Sequence, residues 1–370
     1  MNLAVSVRVT SGKLLATMIL VSAAALGGNK PALGTYKTVS TVASTIPANG
    51  DVNPYGVALV TQSVGNLVAG NILISNFNNS DNLQGTGTTI VQISPTGTLT
   101  LFAQINAADL PGPCPGGVGL TTALSVFQTG WVIVGSLPTV DGTSGTAQPG
   151  CLLVLDSLGK VVETFSDANI NGPWDMTSYE ANGMGYLFFT NVLNGTQRGN
   201  GNIVHDGTVI RLVVTDTSDS MPTEISETII GSKFEERTDP AALVIGPTGV
   251  ALDPVADILY VADSLTNRVQ AIHDALVRTS SALTGVTVST GGFLNDPLGL
   301  TLAPNGNLGV VNGNDGNIIE ITPAGKQIYH QLIDSSGSPP GAGALFGLVV
   351  VKNQGVYFVD DATNTLNLLH

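Results

Sequence analysis

From residue 53 onward the chain repeats one pattern of apolar and polar positions. Each unit opens on a Gly- or Pro-marked start and runs into an alternating or wholly apolar strand. It then turns, runs into a second strand, breaks at polar residues and continues in one or two further strands. The starts are "NPYGVALV" (53), "GGVGLTTAL" (116), "NGPWDMTSY" (171), "GPTGVALD" (246), "DPLGLTLA" (296) and "ALFGLVVV" (344). The second strands align as "NILISNF", "GWVIVGS", "GYLFFTN", "DILYVAD", "NLGVVNG" and "GVYFVDD". A strand period of two within units of roughly 48 to 75 residues predicts a propeller of six blades, one per start.

The last unit stops after its third strand, while "GTYKTVSTVAST" (34–45) precedes the first unit as a strand with no partner of its own. A closed ring explains both. Residues 34–45 are expected to complete the final blade, near 364–369, and so remove the open seam. The fold class is therefore all-β, a single six-bladed propeller over 34–370. Composition agrees: Gly is abundant at 45 residues and charged residues are only 11%. Such a mix suits short strands and tight turns and lacks the charged faces of surface helices.

Residues 1–25 differ in kind. Arg8 and Lys13 precede the apolar run "LLATMILVSAAALGG", with Ala23-Ala24-Ala25 as a small-residue exit. This is the pattern of a secretory signal, with an uncleaved anchor as the alternative. The expectation is export to the periplasm, the cell surface or the medium, with no stable membrane insertion once the signal is cleaved. A formal net charge of −14 lacks the basic footprint that nucleic acid or an anionic membrane needs. Export also bears on Cys114 and Cys151, the only two cysteines. Both lie at loops of one face of the ring, so a disulfide pinning the insertion "LPTVDGTSGTAQPG" is expected.

The stretch "PTGVALDPVADILYVADSLTNRVQAI", within residues 247–272, resembles the NHL repeat, with its Pro-x-Gly start, Tyr-Val-Ala-Asp strand and Asn/Arg turn. "PLGLTLAPNGNLGVVNGNDGNIIEI" is a looser copy. The resemblance implies the propeller fold and, for Asp263 with Arg268, a local stabilising pair.

In a propeller the loops between second and third strands share a face with the connections between blades, around the channel mouth. The residues ending the six second strands are Asn76, Ser136, Asn191, Asp263, Asn312 and Asp360. Their oxygens are of the type that Ca²⁺ or another divalent cation takes. Turn chemistry alone also accounts for Asn and Asp at strand ends. The chain is distantly similar to the senescence marker protein and gluconolactonase group, whose members hold a divalent cation at the mouth with Glu, Asn and Asp and open lactones. That similarity implies Asn191, Asp263, Asn312 and Asp360 as the Asn and Asp part of a metal set. No Glu starts an inner strand, and all seven Glu residues are expected on later strands or connections. Asp175 and Asp296 are the substitutes on that face.

Tyr55, Phe77, Trp174 and Phe346 fall at strand starts or breaks, where they line a pocket for a small molecule or else pack between blades. With Asp175 they form the expected binding set. Of the four histidines only His205, in the blade-three insertion, is expected on the channel face. The functional expectation is an exported scaffold binding a small-molecule or protein ligand through its channel-face loops. The alternatives are a divalent-metal-dependent hydrolase, lactonase or lyase at the mouth, and a structural surface or assembly protein.

Overall fold

The computed structural model describes residues 30–370, so the signal expected over residues 1–25 lies outside the described residues. Six antiparallel sheets follow one another along the chain. Their innermost strands are Val52–Leu59, Leu120–Val126, Pro173–Ala181, Pro247–Asp253, Pro297–Leu302 and Leu345–Val351. Each pairs with the strand that follows it, and successive strands step outward. The result is the expected six-bladed β-propeller.

Val39–Ser44 pairs antiparallel with Thr365–Leu369, and Val39 stands opposite Leu369. The last blade thus takes one strand from the start of the domain and three from its end. A buried carboxylate anchors what precedes that strand. Glu320 accepts hydrogen bonds from Ala32 N and Leu33 N, at 2.9 and 2.8 Å, and from the side chains of Asn305 and Asn307.

Burial follows position in the blade. Second strands such as Ile72–Asn78 and Val132–Ser136 are buried along their whole length, because neighbouring blades cover both faces. This is why they read as apolar runs and not as clean alternation. Outer strands such as Gln327–Leu332 are half exposed. Blade three departs from the four-stranded plan. Its strands Val204–Thr215 and Glu224–Asp239 are long, and Leu243–Ile245 adds a fifth. Glu180 lies within the innermost strand Pro173–Ala181, which corrects the expectation that every Glu sits further out; it falls near the end of that strand, away from the mouth.

Neighbouring blades are tied to one another near the channel by hydroxyls. Ser75 Oγ donates to Thr121 O at 2.7 Å, Thr121 Oγ1 to Pro173 O at 2.8 Å, and Thr248 Oγ1 to Pro297 O at 2.8 Å. Pro at the first position of an innermost strand costs no ladder bond where its nitrogen faces the channel. Every ladder between first and second strands also shifts register just after this start. Cys114 and Cys151 are bonded, with Cα atoms 5.2 Å apart, as their loops' shared face led us to expect. No helix of the described residues is long and apolar enough to cross a membrane.

Candidate functional site at the channel mouth

The strand-ending residues turn into their own blades. Asn191 Oδ1 accepts from Asn171 N and Gly172 N, at 3.1 and 2.6 Å. Asn312 Oδ1 accepts from Asn295 N, while its amide nitrogen donates to Phe293 O and Asp315. Each Asn therefore fixes the connection entering its blade. The two Asp residues instead fix the turn that follows them: Asp263 Oδ1 accepts from Thr266 N at 3.1 Å, and Asp360 Oδ1 from Thr363 N at 3.0 Å. Asp263 Oδ2 lies 3.9 Å from Arg268. Asn76 and Ser136 likewise bond within or beside their own blade.

A divalent cation implied by the family resemblance does not fit this set. The acceptor oxygens of Asn191 and Asn312 are committed to backbone N–H groups, and one oxygen of each Asp is too. Among the described residues no group of three or more His, Cys, Asp or Glu side chains is placed to hold a metal ion.

The cavity at the mouth, of about 400 Å³, is lined instead by neighbours of those residues. Asp361 follows Asp360, Gly313 follows Asn312, and Asp296 precedes Pro297. Asn53, Asn78, Asn82, Gln84 and Asn314 add carboxamides. Gln84 comes from the loop after the second strand of blade one. Its Nε2 lies 3.4 Å from Pro240 O and 3.3 Å from Ala241 O, in the turn between the fourth and fifth strands of blade three. Blade two lies between blades one and three in the ring, so the two loops meet over the mouth, where Gln84 and Ala241 both line the cavity. Asn78 donates to Asn82 Oδ1 at 2.8 Å, whereas Asn78 Oδ1 and Gln84 Oε1 are buried without a hydrogen-bond partner among the described residues.

The mouth carboxyls are perturbed. Burial, with Asp360 beside it, pushes Asp361 up to about 8. Burial, with Asp239 and Asp315 nearby, pushes Asp296 up to about 7. The Tyr55 hydroxyl is raised well above its ordinary value, first by burial and then by the charge of Asp361. Gly313 is needed at its place, because a Cβ there would lie 2.5 Å from Asp296 Oδ2.

The four expected aromatics do converge, as a plug across the channel. Tyr55 stacks on Phe77 at 4.5 Å and on Phe346 at 3.8 Å, and Trp174 meets Tyr55 and Phe77 edge-on. Tyr55 and Phe346 form part of the mouth's wall; Phe77 and Trp174 do not line that cavity. Asp175 lies below the plug, in a separate channel chamber. His205 does not line the mouth cavity; it is largely exposed and 4.0 Å from Glu235.

Comparison with solved structures finds the same fold. A gluconolactonase from Xanthomonas campestris is 13% identical, with a TM-score of 0.52 over 91% of this chain and 89% of its own. A second structure, provisionally described as a gluconolactonase, is 14% identical with a TM-score of 0.53 over 92% and 96%. A third, from Thermus thermophilus and provisionally described as a glucose dehydrogenase, is 12% identical with a TM-score of 0.51 over 90% and 99%. No protein-family model and no curated protein matches the sequence, so the NHL repeat is not confirmed as a family. At these identities the likeness is one of fold, and the chain is a six-bladed β-propeller of the architecture that these proteins share.

Proposed function

We propose that the chain is an exported binding propeller whose mouth takes a small, uncharged, hydroxyl-rich ligand of the sugar class. The observation that carries this is the cavity of about 400 Å³ walled by five carboxamides, two carboxyls and the edges of Tyr55 and Phe346. Its polar groups include two buried carboxamide oxygens that lack a donor among the described residues, and a ligand rich in hydroxyls supplies donors. Asp296 and Asp361 repel anions once ionised, which disfavours sugar acids and phosphates. The disulfide supports an oxidising, exported setting.

The test is a thermal-shift titration of the full chain with neutral mono- and disaccharides and with glucuronate. We expect a shift with a neutral sugar, none with glucuronate, and a reduced shift in Asn82→Ala and Asp361→Asn. A shift that both variants leave intact, or no shift with any neutral sugar, overturns the proposal.

A second reading, opening of a lactone, rests on Asp296 and Asp361. Two carboxyls raised toward neutrality on one cavity can give and take a proton. The gluconolactonases of like fold make gluconolactone the first substrate to try. Under the binding proposal it is hydrolysed at the background rate; turnover lost in Asp296→Asn establishes the second reading instead.

A further inference from the structure

The innermost strands can be aligned at one position, two residues after each blade's Pro- or Leu-marked start. Blades one to six place Gly56, Thr122, Asp175, Gly249, Gly299 and Gly347 there. Glycine is required where the blades touch: a Cβ on Gly249 would lie 2.2 Å from Leu298 O, and one on Gly299 would lie 2.1 Å from Phe346 O. The waist of the channel is thus built from bare backbone in four blades. Blades two and three depart from that plan, and both Thr122 and Asp175 line the channel there.

Below the waist, on the side away from the mouth, the innermost strands enclose a chamber of about 320 Å³. Among the described residues Asp175 is the only charged one that lines it; backbone and hydroxyl groups make up most of its exposed surface, with half-buried aliphatic side chains such as Val57, Leu59 and Val349 among them. Thr122 and Asp175 also line the constriction next to Trp174 and Phe346, which places them at the chamber's inner end.

Two polar groups there are incompletely engaged. Asp175, 9% exposed, accepts from Val250 N at 3.0 Å, and no cationic side chain among the described residues lines the chamber with it. Thr122, 7% exposed, has a hydroxyl with no hydrogen-bond partner among them. Burial raises Asp175 to about 7, and a cation beside it would restore the ionised form. One carboxylate supplies one charge, whereas divalent cations gather about six to eight oxygens, commonly from several carboxylates. A primary ammonium has three donors to share among a carboxylate, a hydroxyl and backbone carbonyls. The half-buried aliphatic side chains of the lining give contact to a short carbon body, which a bare alkali ion lacks.

We propose that the chamber opposite the mouth binds a small organic monocation, a primary ammonium on a short aliphatic body, with its head between Asp175 and Thr122. The proposal is independent of what the mouth binds.

The test is calorimetric titration of the full chain with n-hexylammonium chloride, with 1-hexanol and calcium chloride as comparisons. We expect one equivalent of the ammonium to bind, with the alcohol weaker by about tenfold or more, as loss of a charge-assisted hydrogen bond implies. Asp175→Asn, nearly isosteric, should remove that preference. Thr122→Val should weaken the ammonium alone, and Asp361→Asn at the mouth should bind like the parent. Equal binding of ammonium and alcohol, unchanged ammonium binding in Asp175→Asn, loss of binding in Asp361→Asn, or Asp175-dependent binding of calcium without the ammonium overturns the proposal.

Discussion

Tyr55 of blade one lies face to face with Phe346 of blade six, with ring centroids 3.8 Å apart and planes 16° from parallel. The two rings meet across the seam where the ring closes, and Phe77 backs Tyr55 on its other side. The contact therefore both joins the terminal blades and separates the mouth from the chamber below. Phe346→Ala removes a buried ring from this stack, and it should cost about 3–5 kcal/mol in urea unfolding. A loss below about 1 kcal/mol would mean that the seam is held by its strands alone.

The strand Val39–Ser44 closes the last blade, so its removal exposes the whole edge of Thr365–Leu369. Deleting residues through Ser44 should lower the melting temperature far more than deleting through Gly28. Glu320→Ala should produce a smaller loss, about 1–3 kcal/mol, by leaving Ala32 N and Leu33 N without their acceptor. Equal melting temperatures for the two deletions would contradict closure by this strand.

The Cys114–Cys151 bond joins residues 37 apart. Chain entropy for a loop of that length gives about 3–4 kcal/mol, from which any native strain subtracts. Chemical denaturation with and without reductant should show a midpoint shift of that order. The paired Cys114→Ser, Cys151→Ser variant should match the reduced protein and ignore the reductant.

Three channel carboxyls make stability depend on pH. Burial raises Asp175 and Asp296 to about 7 and Asp361 to about 8, whereas an unfolded Asp titrates near about 3.9. Between those values the folded chain holds more protons than the unfolded one. The contribution of these groups is therefore complete below about pH 4 and is lost as pH rises through about 7 to 8. Melting temperatures measured across that window should show this downward contribution, and Asp361→Asn should flatten its upper part. An unchanged slope in that variant would place the titration elsewhere.

The fold was legible because propeller blades repeat, so that six imperfect copies of a start and a second strand reinforce one another. Closure by residues 34–45 followed from counting strands, and the disulfide from loops assigned to one face. The site was less legible, for a geometric reason. Ending a second strand in Asn or Asp places an oxygen near the mouth, but the adjoining backbone decides which way it turns. Asn312 turns to hold the connection entering its blade and Asp360 the turn that follows it, and the cavity falls to Gly313 and Asp361, one residue later. Asn82 and Gln84 come from an insertion between the second and third strands of blade one, a place where blades four to six have only a short turn, and nothing in the repeat announces them. Asp175 was visible as a mouth candidate, yet its alignment with four glycines places it at the waist. That signal was present in the aligned starts, where only Thr122 and Asp175 break the row.

The pairing of Val39 with Leu369 also sets the order of events during synthesis. The closing strand is among the earliest parts of the domain to leave the ribosome, and its partner cannot form until residue 369 has been made. Blades one to five can each fold as they emerge, while this strand waits as an unpaired edge for nearly the whole of translation. It is only six residues long, its exposed positions include Thr41 and Ser44, and it carries no long apolar run. A segment held back for so long is less exposed to mispairing when it is short and polar.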